Sequence, residues 1–199
     1  MRPWLLVLLA VTAVILLVTR FYPSVEHVAV SGNAHYGPQH VMALAGIQPG
    51  SSLLWINRWN LGRLTEDPWI EGVRVIRHWP DTVSIAVWER EPVLTDGENS
   101  WAADGTLLPG VDEGVKSGLV QLRGWGEPRV DDALRLVELL SPFEPRVISY
   151  SPEGFDIELA NSQLYTPSVA MLERHWAAWI NQRGSRVAVY PWGVSDINE

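Results

Sequence analysis

Five histidines, at positions 27, 35, 40, 78 and 175, are the side chains best suited to holding a metal or moving a proton near neutral pH. Their spacing argues against both roles. A helical metal pair needs two histidines four residues apart on one face, as in H-E-x-x-H, and no two are so placed. His35 and His40 are five apart across Gly37-Pro38, which gives no common helical face. Asp131-Asp132 and the set Glu153, Asp156 and Glu158 offer paired carboxylates for acid–base work. The first pair reads more simply as acids at a helix N-terminus, where the dipole favours them. The second reads as the solvent face of a strand. Ser51-Ser52 and Ser149 have no base beside them, and the chain contains neither a G-x-S-x-G elbow nor a G-x-x-x-x-G-K phosphate loop. With no cysteine there are no disulfides, thiol nucleophiles or Cys-based zinc sites. The formal charge of −8 and the lack of a basic stripe exclude a nucleic-acid footprint. The expectation is a non-enzymatic chain without cofactor, metal or small-molecule substrate.

The informative features are those of architecture. Residues 3–19, PWLLVLLAVTAVILLVT, are uncharged and lie between Arg2 and Arg20. As a helix they span roughly 26 Å, near the lower limit for a bilayer core. Trp4 at one end and Phe21-Tyr22 at the other sit where an aromatic belt would. No small-x-small cleavage site follows the run, so residues 1–22 are expected to be a very short cytoplasmic tail and an uncleaved transmembrane helix. Arg2 and the α-amino group favour the N-terminus inside, with the bulk of the chain outside the cell (inner) membrane.

Beyond the anchor, short elements alternate. A strand is expected over 25–30, a helix over 38–45 with Pro38 at its start and Gly46 as its stop, and a helix over 58–66 halted by Asp67-Pro68. Strands follow at 70–78 and 82–89, where Val83, Ile85 and Val87 alternate with Ser84 and Ala86 to give one apolar face. The order β-α-α-β-β over 23–91 is a small α+β domain with two helices on one face of a three-stranded sheet. Residues 92–199 read as a second, mixed β-rich domain. It has strands at 92–95, 100–103, 106–108, 146–150, 154–160 and 186–190, a loop at 109–118, and two helices, 131–140 and 168–182. Asp131 is the expected N-cap of the first helix. The eleven tryptophans are expected mostly in cores or on sheet surfaces.

Four stretches together resemble the FtsQ/DivIB family of bacterial cell-division proteins: a membrane anchor, a POTRA domain and a β domain. VEHVAVSGN at 25–33 resembles its V-x-V-x-G-N strand and turn, and IQPGSSLLWIN at 47–57 its G-x-N-L-like segment. DPWIEGVRVIRHWPDTVSIAVWEREPV at 67–93 resembles the P-W-V-x-x-A-x-V-x-R-x-W-P-x-T-L-x-I-x-V-x-E-R-x-P signature, with Gly72 in place of its alanine. AADGTLLP at 102–109 resembles the turn opening the β domain; over 110–199 only the order of elements agrees. The resemblance implies a scaffold of the divisome, linking early and late division proteins at the septum during septal wall synthesis. It also implies FtsB- and FtsL-like bitopic partners, and recruiting contacts made by the POTRA domain. A POTRA-bearing export component is the alternative, but too little chain remains for a barrel; a wall hydrolase lacks its catalytic set.

Two sites follow from these readings. Glu89, Arg90 and Glu91 form a charged knot expected to be a rigid joint between the domains. The final strand, Arg186, Val187, Ala188, Val189 and Tyr190, precedes a proline and is expected to be an uncovered sheet edge. A partner would extend it, with Tyr190 and Trp192 as side-chain anchors.

Overall fold

A computed structural model of the chain describes residues 3–56, 61–182 and 184–197. The chain divides into two compact units, Met1–Arg90 and Glu91–Glu199. In the first, helix α1 (Pro3–Phe21) precedes strand β1 (His27–Ser31), helix α2 (Pro38–Ala45), a 3₁₀ turn at Leu53–Trp55 and helix α3 (Gly62–Glu66). The hairpin β2 (Ile70–His78) and β3 (Thr82–Glu89) completes it. Every described side chain of α1 from Trp4 to Val18 is exposed. Among the described residues no helix is long and apolar enough to cross a membrane.

The three strands form one sheet in the order β1-β3-β2, with β1 parallel to β3 and β2 antiparallel to it. The period-2 pattern of β3 puts Val83, Ile85 and Val87 on one face, where they are fully or almost fully buried. They pack with Val41 and Ala45 of α2, Leu64 of α3, and Ile47, Leu53 and Ile56 of the connecting loop. Gly46 ends α2 in the left-handed region (φ 64°), which glycine enters without a Cβ penalty. Residues 58–60 of the expected second helix lie outside the described residues.

The second unit contains β4 (Pro92–Thr95), β5 (Ser100–Ala102), α4 (Glu113–Lys116), β6 (Val120–Gly124) and α5 (Val130–Leu140). After these come β7 (Pro145–Ser151), β8 (Gly154–Leu159), β9 (Gln163–Thr166), α6 (Val169–Arg174), α7 (Trp176–Ile180), β10 (Arg186–Tyr190) and β11 (Gly193–Asp196). Its eight strands form one sheet in the order β11-β10-β9-β8-β7-β6-β4-β5. Of its three parallel pairs, β6/β7 is bridged by α5 and β9/β10 by α6 and α7, while between β4 and β6 the chain passes through β5 and α4. Phe155, Ile157 and Leu159 of β8 pack under Leu136, Leu140, Leu172 and Trp179 of these helices, while Asp156 and Glu158 face solvent.

Several expectations are corrected. Residues 106–108 are not a full strand; they make a single bridge, Trp101 to Leu107, alongside β5. The loop 109–118 contains the short helix α4. Strands β6, β9 and β11 were not expected. Asp131 is not the N-cap of α5: that position is Arg129, and Asp131 lies in the first turn. The helix over 168–182 breaks at His175 into α6 and α7. Among the described tryptophans only Trp69 and Trp179 are buried, whereas Trp4, Trp55, Trp79, Trp88, Trp125 and Trp192 are exposed.

The hairpin register is open to a direct check. Ile85→Asp places a carboxylate in a closed apolar core and is expected to cost about 3 kcal/mol or more. Ser84→Asp, on the opposite face, is expected to stay within about 1 kcal/mol of the parent. Unfolding of the detergent-solubilised chain measures both, and equal losses would put the register out by one residue.

Candidate functional site

The residues of the 67–93 signature close the first unit through backbone contacts. The Glu89 carboxylate accepts hydrogen bonds from three successive backbone N–H groups: Ala34 (2.6 Å), His35 (2.5 Å) and Tyr36 (3.1 Å). Three converging amides make a ready anion cradle, here filled by a side chain 53–55 residues away in sequence. The next residue, Arg90, donates from its guanidinium to the carbonyls of Pro68 (3.0 Å) and Ile70 (2.7 Å). Its backbone N–H donates to Trp69 O (2.8 Å). Glu89 and Arg90 are therefore fastened within the first unit, and Glu91 opens the second.

Gly32 explains the S-G-N turn. Its φ is 80°, and a Cβ there would lie 2.0 Å from the carbonyl oxygen of Val87, so only glycine allows this approach to β3. At Gly72, where the family signature has alanine, a Cβ would sit 3.3 Å from the Trp88 ring. Glycine lets that ring lie against the β2 backbone, with the Arg74 guanidinium 5.5 Å from the ring centre.

An aromatic group surrounds the cradle. His35 stacks on Trp69 at 3.5 Å, and the rings of Tyr36 and His40 are 4.4 Å apart. The Tyr36 hydroxyl donates to the carboxylate of Asp67, with both oxygens within 3.1 Å. Burial, this hydrogen bond and the charges of Asp67 and then Glu89 all oppose its ionisation, and its pKa is pushed up to about 12.

The remaining chemistry-bearing residues stay apart. Asp132 pairs with Arg129 at 2.8 Å. Asp156 and Glu158 are exposed on β8. The Ser52 hydroxyl donates to Thr19 O (2.8 Å), and that of Ser51 accepts from Gln48 N–H (3.1 Å). Among the described residues no cluster of His, Asp and Glu is arranged to hold a metal.

The second expected site is corrected in its central premise. Strand β10 is not a sheet edge. It pairs with β9 on one side and with β11 on the other, in register Val187–Asp196, Ala188–Ser195, Val189–Val194 and Tyr190–Gly193. Val187, Ala188 and Val189 are buried accordingly, and Arg186 is exposed. Pro191 and Trp192 form the two-residue hairpin turn rather than a chain exit. The last strand of the sheet is β11, and among the described residues no further strand pairs with it. Ile197 N–H donates to Arg186 O, so the alternating ladder turns the N–H and C=O of Val194 away from β10. Beside this edge the Tyr190 and Trp192 rings stack at 4.9 Å and 2°, and Tyr165 lies 6.2 Å from Tyr190. Trp192 is 80% exposed. At the opposite end β5 is covered: Ala102 N–H donates to Thr106 O and Leu108 N–H to Ser100 O.

A parallel β1/β3 pair, an antiparallel β2/β3 hairpin and two short helices on one face are the architecture of a POTRA domain. Residues 24–90 match the POTRA domain, FtsQ-type. The chain is 38% identical over 68 residues to the cell division protein FtsQ of Geobacter sp. (strain M21), covering 34% of this chain and 25% of that protein. It is 28% identical over 177 residues to the cell division protein DivIB of Geobacillus kaustophilus, covering 74% and 67%. Against FtsQ of Corynebacterium glutamicum it is 28% identical over 106 residues, half of this chain and 48% of that one. The matched stretches thus span from a quarter to two thirds of those relatives. This chain is a POTRA-bearing relative of the FtsQ/DivIB cell-division proteins.

The raised Tyr36 pKa fixes the sign of a pH effect. A phenol favoured in its neutral form by the fold stabilises fully below its ordinary pKa of 10 and loses that contribution as pH rises through about 12. The melting temperature of the parent should therefore exceed that of Tyr36→Phe at pH 9. The gap should shrink on raising the pH toward 12. A gap that widens with pH would contradict the Tyr36–Asp67 geometry.

Proposed function

We propose that this chain is a non-enzymatic, membrane-anchored scaffold of the bacterial divisome that links early and late division proteins at the septum during septal wall synthesis. The observation that carries the reading is the FtsQ-type POTRA domain over 24–90, whose signature residues Gly32, Glu89 and Arg90 each meet a specific structural demand.

The anchor is α1. A helix exposing apolar side chains on every face leaves far more apolar surface in water than a soluble unit carries, and lipid removes that cost. Its hydroxyls are satisfied internally, Thr12 donating to Leu8 O and Thr19 to Leu16 O, as a bilayer interior requires. Residues beyond the anchor then lie outside the cytoplasm. A phosphatase fused after Glu199 is expected to be active and a fluorescent reporter that matures only in the cytoplasm dark; the reverse pair of results refutes this orientation.

Partner docking belongs at the β11 end of the second unit. An FtsB-like chain, bound together with an FtsL-like one, adds a strand beside β11 and rests side chains on Tyr190 and Trp192. This keeps Tyr190 and Trp192 as anchors and moves the ladder from Arg186–Tyr190 to the strand outside it. The double variant Tyr190→Ala, Trp192→Ala is expected to keep the parent melting temperature and to lose the FtsL–FtsB pair on co-purification from membranes. Retention of the pair at parental affinity by the folded variant would place docking elsewhere.

A further inference from the structure

The exposed tryptophans of the first unit are not scattered. Three segments converge where the chain leaves α1. The linker after the helix pairs with the loop before the 3₁₀ turn: Leu53 N–H donates to Pro23 O (2.9 Å), Val25 N–H to Ser51 O (2.8 Å), and Ser24 bridges Ser52. Ser52, only 3% exposed, also donates its hydroxyl to Thr19 O at the foot of α1. On the other side, Glu26 N–H donates to Asp81 O (2.8 Å) and His27 pairs with Thr82, so the tip of the β2–β3 hairpin lies at the same end of the sheet.

Each of these segments presents large apolar side chains to solvent: Tyr22 at 73% exposure, Leu54 at 40%, Trp55 at 43% and Trp79 at 67%. We infer that Tyr22, Leu54, Trp55 and Trp79 form a collar around the foot of α1 that inserts into the headgroup region of the lipid bilayer. The inference rests on the reading of α1 as the membrane anchor and adds a second, interfacial contact to it. Tryptophan and tyrosine favour that region because a flat apolar body and one polar atom suit its gradient from wet to dry. The contact also answers a physical need. An apolar run near the lower limit of bilayer thickness is held more firmly when apolar side chains at its outer end extend the buried surface. Charge does not drive it: exposed Arg77 and His78 near the hairpin tip are offset by Glu26 and Asp81 at the same end. The collar would hold the first unit against the membrane rather than leave it swinging on a linker.

The lack of cysteine makes the test clean, because one introduced thiol is the sole labelling site. Leu54→Cys, Trp79→Cys, Leu9→Cys and Glu71→Cys, each verified to melt like the parent, would carry a polarity-sensitive fluorophore in phosphatidylcholine vesicles. Glu71 lies toward the opposite end of the nine-residue strand β2, about 23 Å from the tip at the usual strand rise. Lipids spin-labelled near the headgroup should quench most of the emission at positions 54 and 79. Mid-chain labels should quench position 9, and neither should quench position 71. Quenching at 9 with 54 and 79 bright overturns the collar and leaves the anchor standing. If position 9 also stays bright, collar and anchor fall together. Equal quenching at 71 and at the collar positions overturns the collar as a localised contact. Should either collar variant melt early, Trp55→Cys replaces it with the same expected outcome.

Discussion

Three consecutive amide groups share one carboxylate, and this tie fastens the turn after β1 to the end of β3. Between β1 and α2 the chain turns so that the N–H groups of Ala34, His35 and Tyr36 point to one place. Ala34 and His35 lie at the surface and Tyr36 is half-buried, so the gain comes from the charge of the acceptor and from three donors sharing it rather than from sparing buried amides. Glu89, at the end of β3, supplies the charge that answers all three. The contact fixes how β1 runs beside β3, which in turn demands a glycine at position 32 where the backbones meet. Arg90 repeats the logic one residue later, holding the start of β2 by its carbonyls. Two adjacent ionic side chains thus bind two loops that are remote in sequence, and the small core beneath them is closed by these polar ties as well as by Val83, Ile85 and Val87.

Much of this unit was legible because its signals are local and unmixed. Strict alternation over 82–89, a proline corner, and Pro38 and Gly46 flanking a helical run each point to a single conformation. The second unit mixes its signals. Strands β6, β9 and β11 are four or five residues long and carry Gln121, Arg123, Gln163, Ser195 or Asp196, so no apolar alternation develops. The i, i+3, i+7 pattern of Val169, Leu172 and Trp176 runs straight through His175, where the helix nevertheless breaks, because both halves bury the same face. The misplaced edge has the same origin: with β11 unseen, β10 looked like the end of the sheet. Only the Tyr-Pro-Trp-Gly sequence hinted at a return strand.

The roles of Glu89 and Tyr36 were hidden for a different reason. Glu89 binds backbone, which carries no residue identity, and Tyr36 meets Asp67 across 31 residues of chain. A charge cluster at a strand end reads as solvated unless its partners are known. Tryptophan misled in the opposite sense. Its abundance suggested rings in cores or on sheet surfaces; among the described tryptophans Trp69 and Trp179 are buried and Trp88 lies exposed on β3, but Trp79 and Trp192 sit exposed in turns.

The eight-stranded sheet ends differently on its two sides. Beside β5, residues 106–108 already use the outward backbone groups, while the far side of β11 offers the N–H and C=O of Val194. Growth of a sheet into a fibre requires two sticky ends, one on each subunit, meeting head to tail. Here the two ends are unlike: one is bordered by residues 106–108 of the same chain, and the other is the short strand β11. Under the docking proposed above, a partner strand occupies the β11 edge, while the β5 end, bordered by residues 106–108 of the same chain, presents a different surface to any further chain.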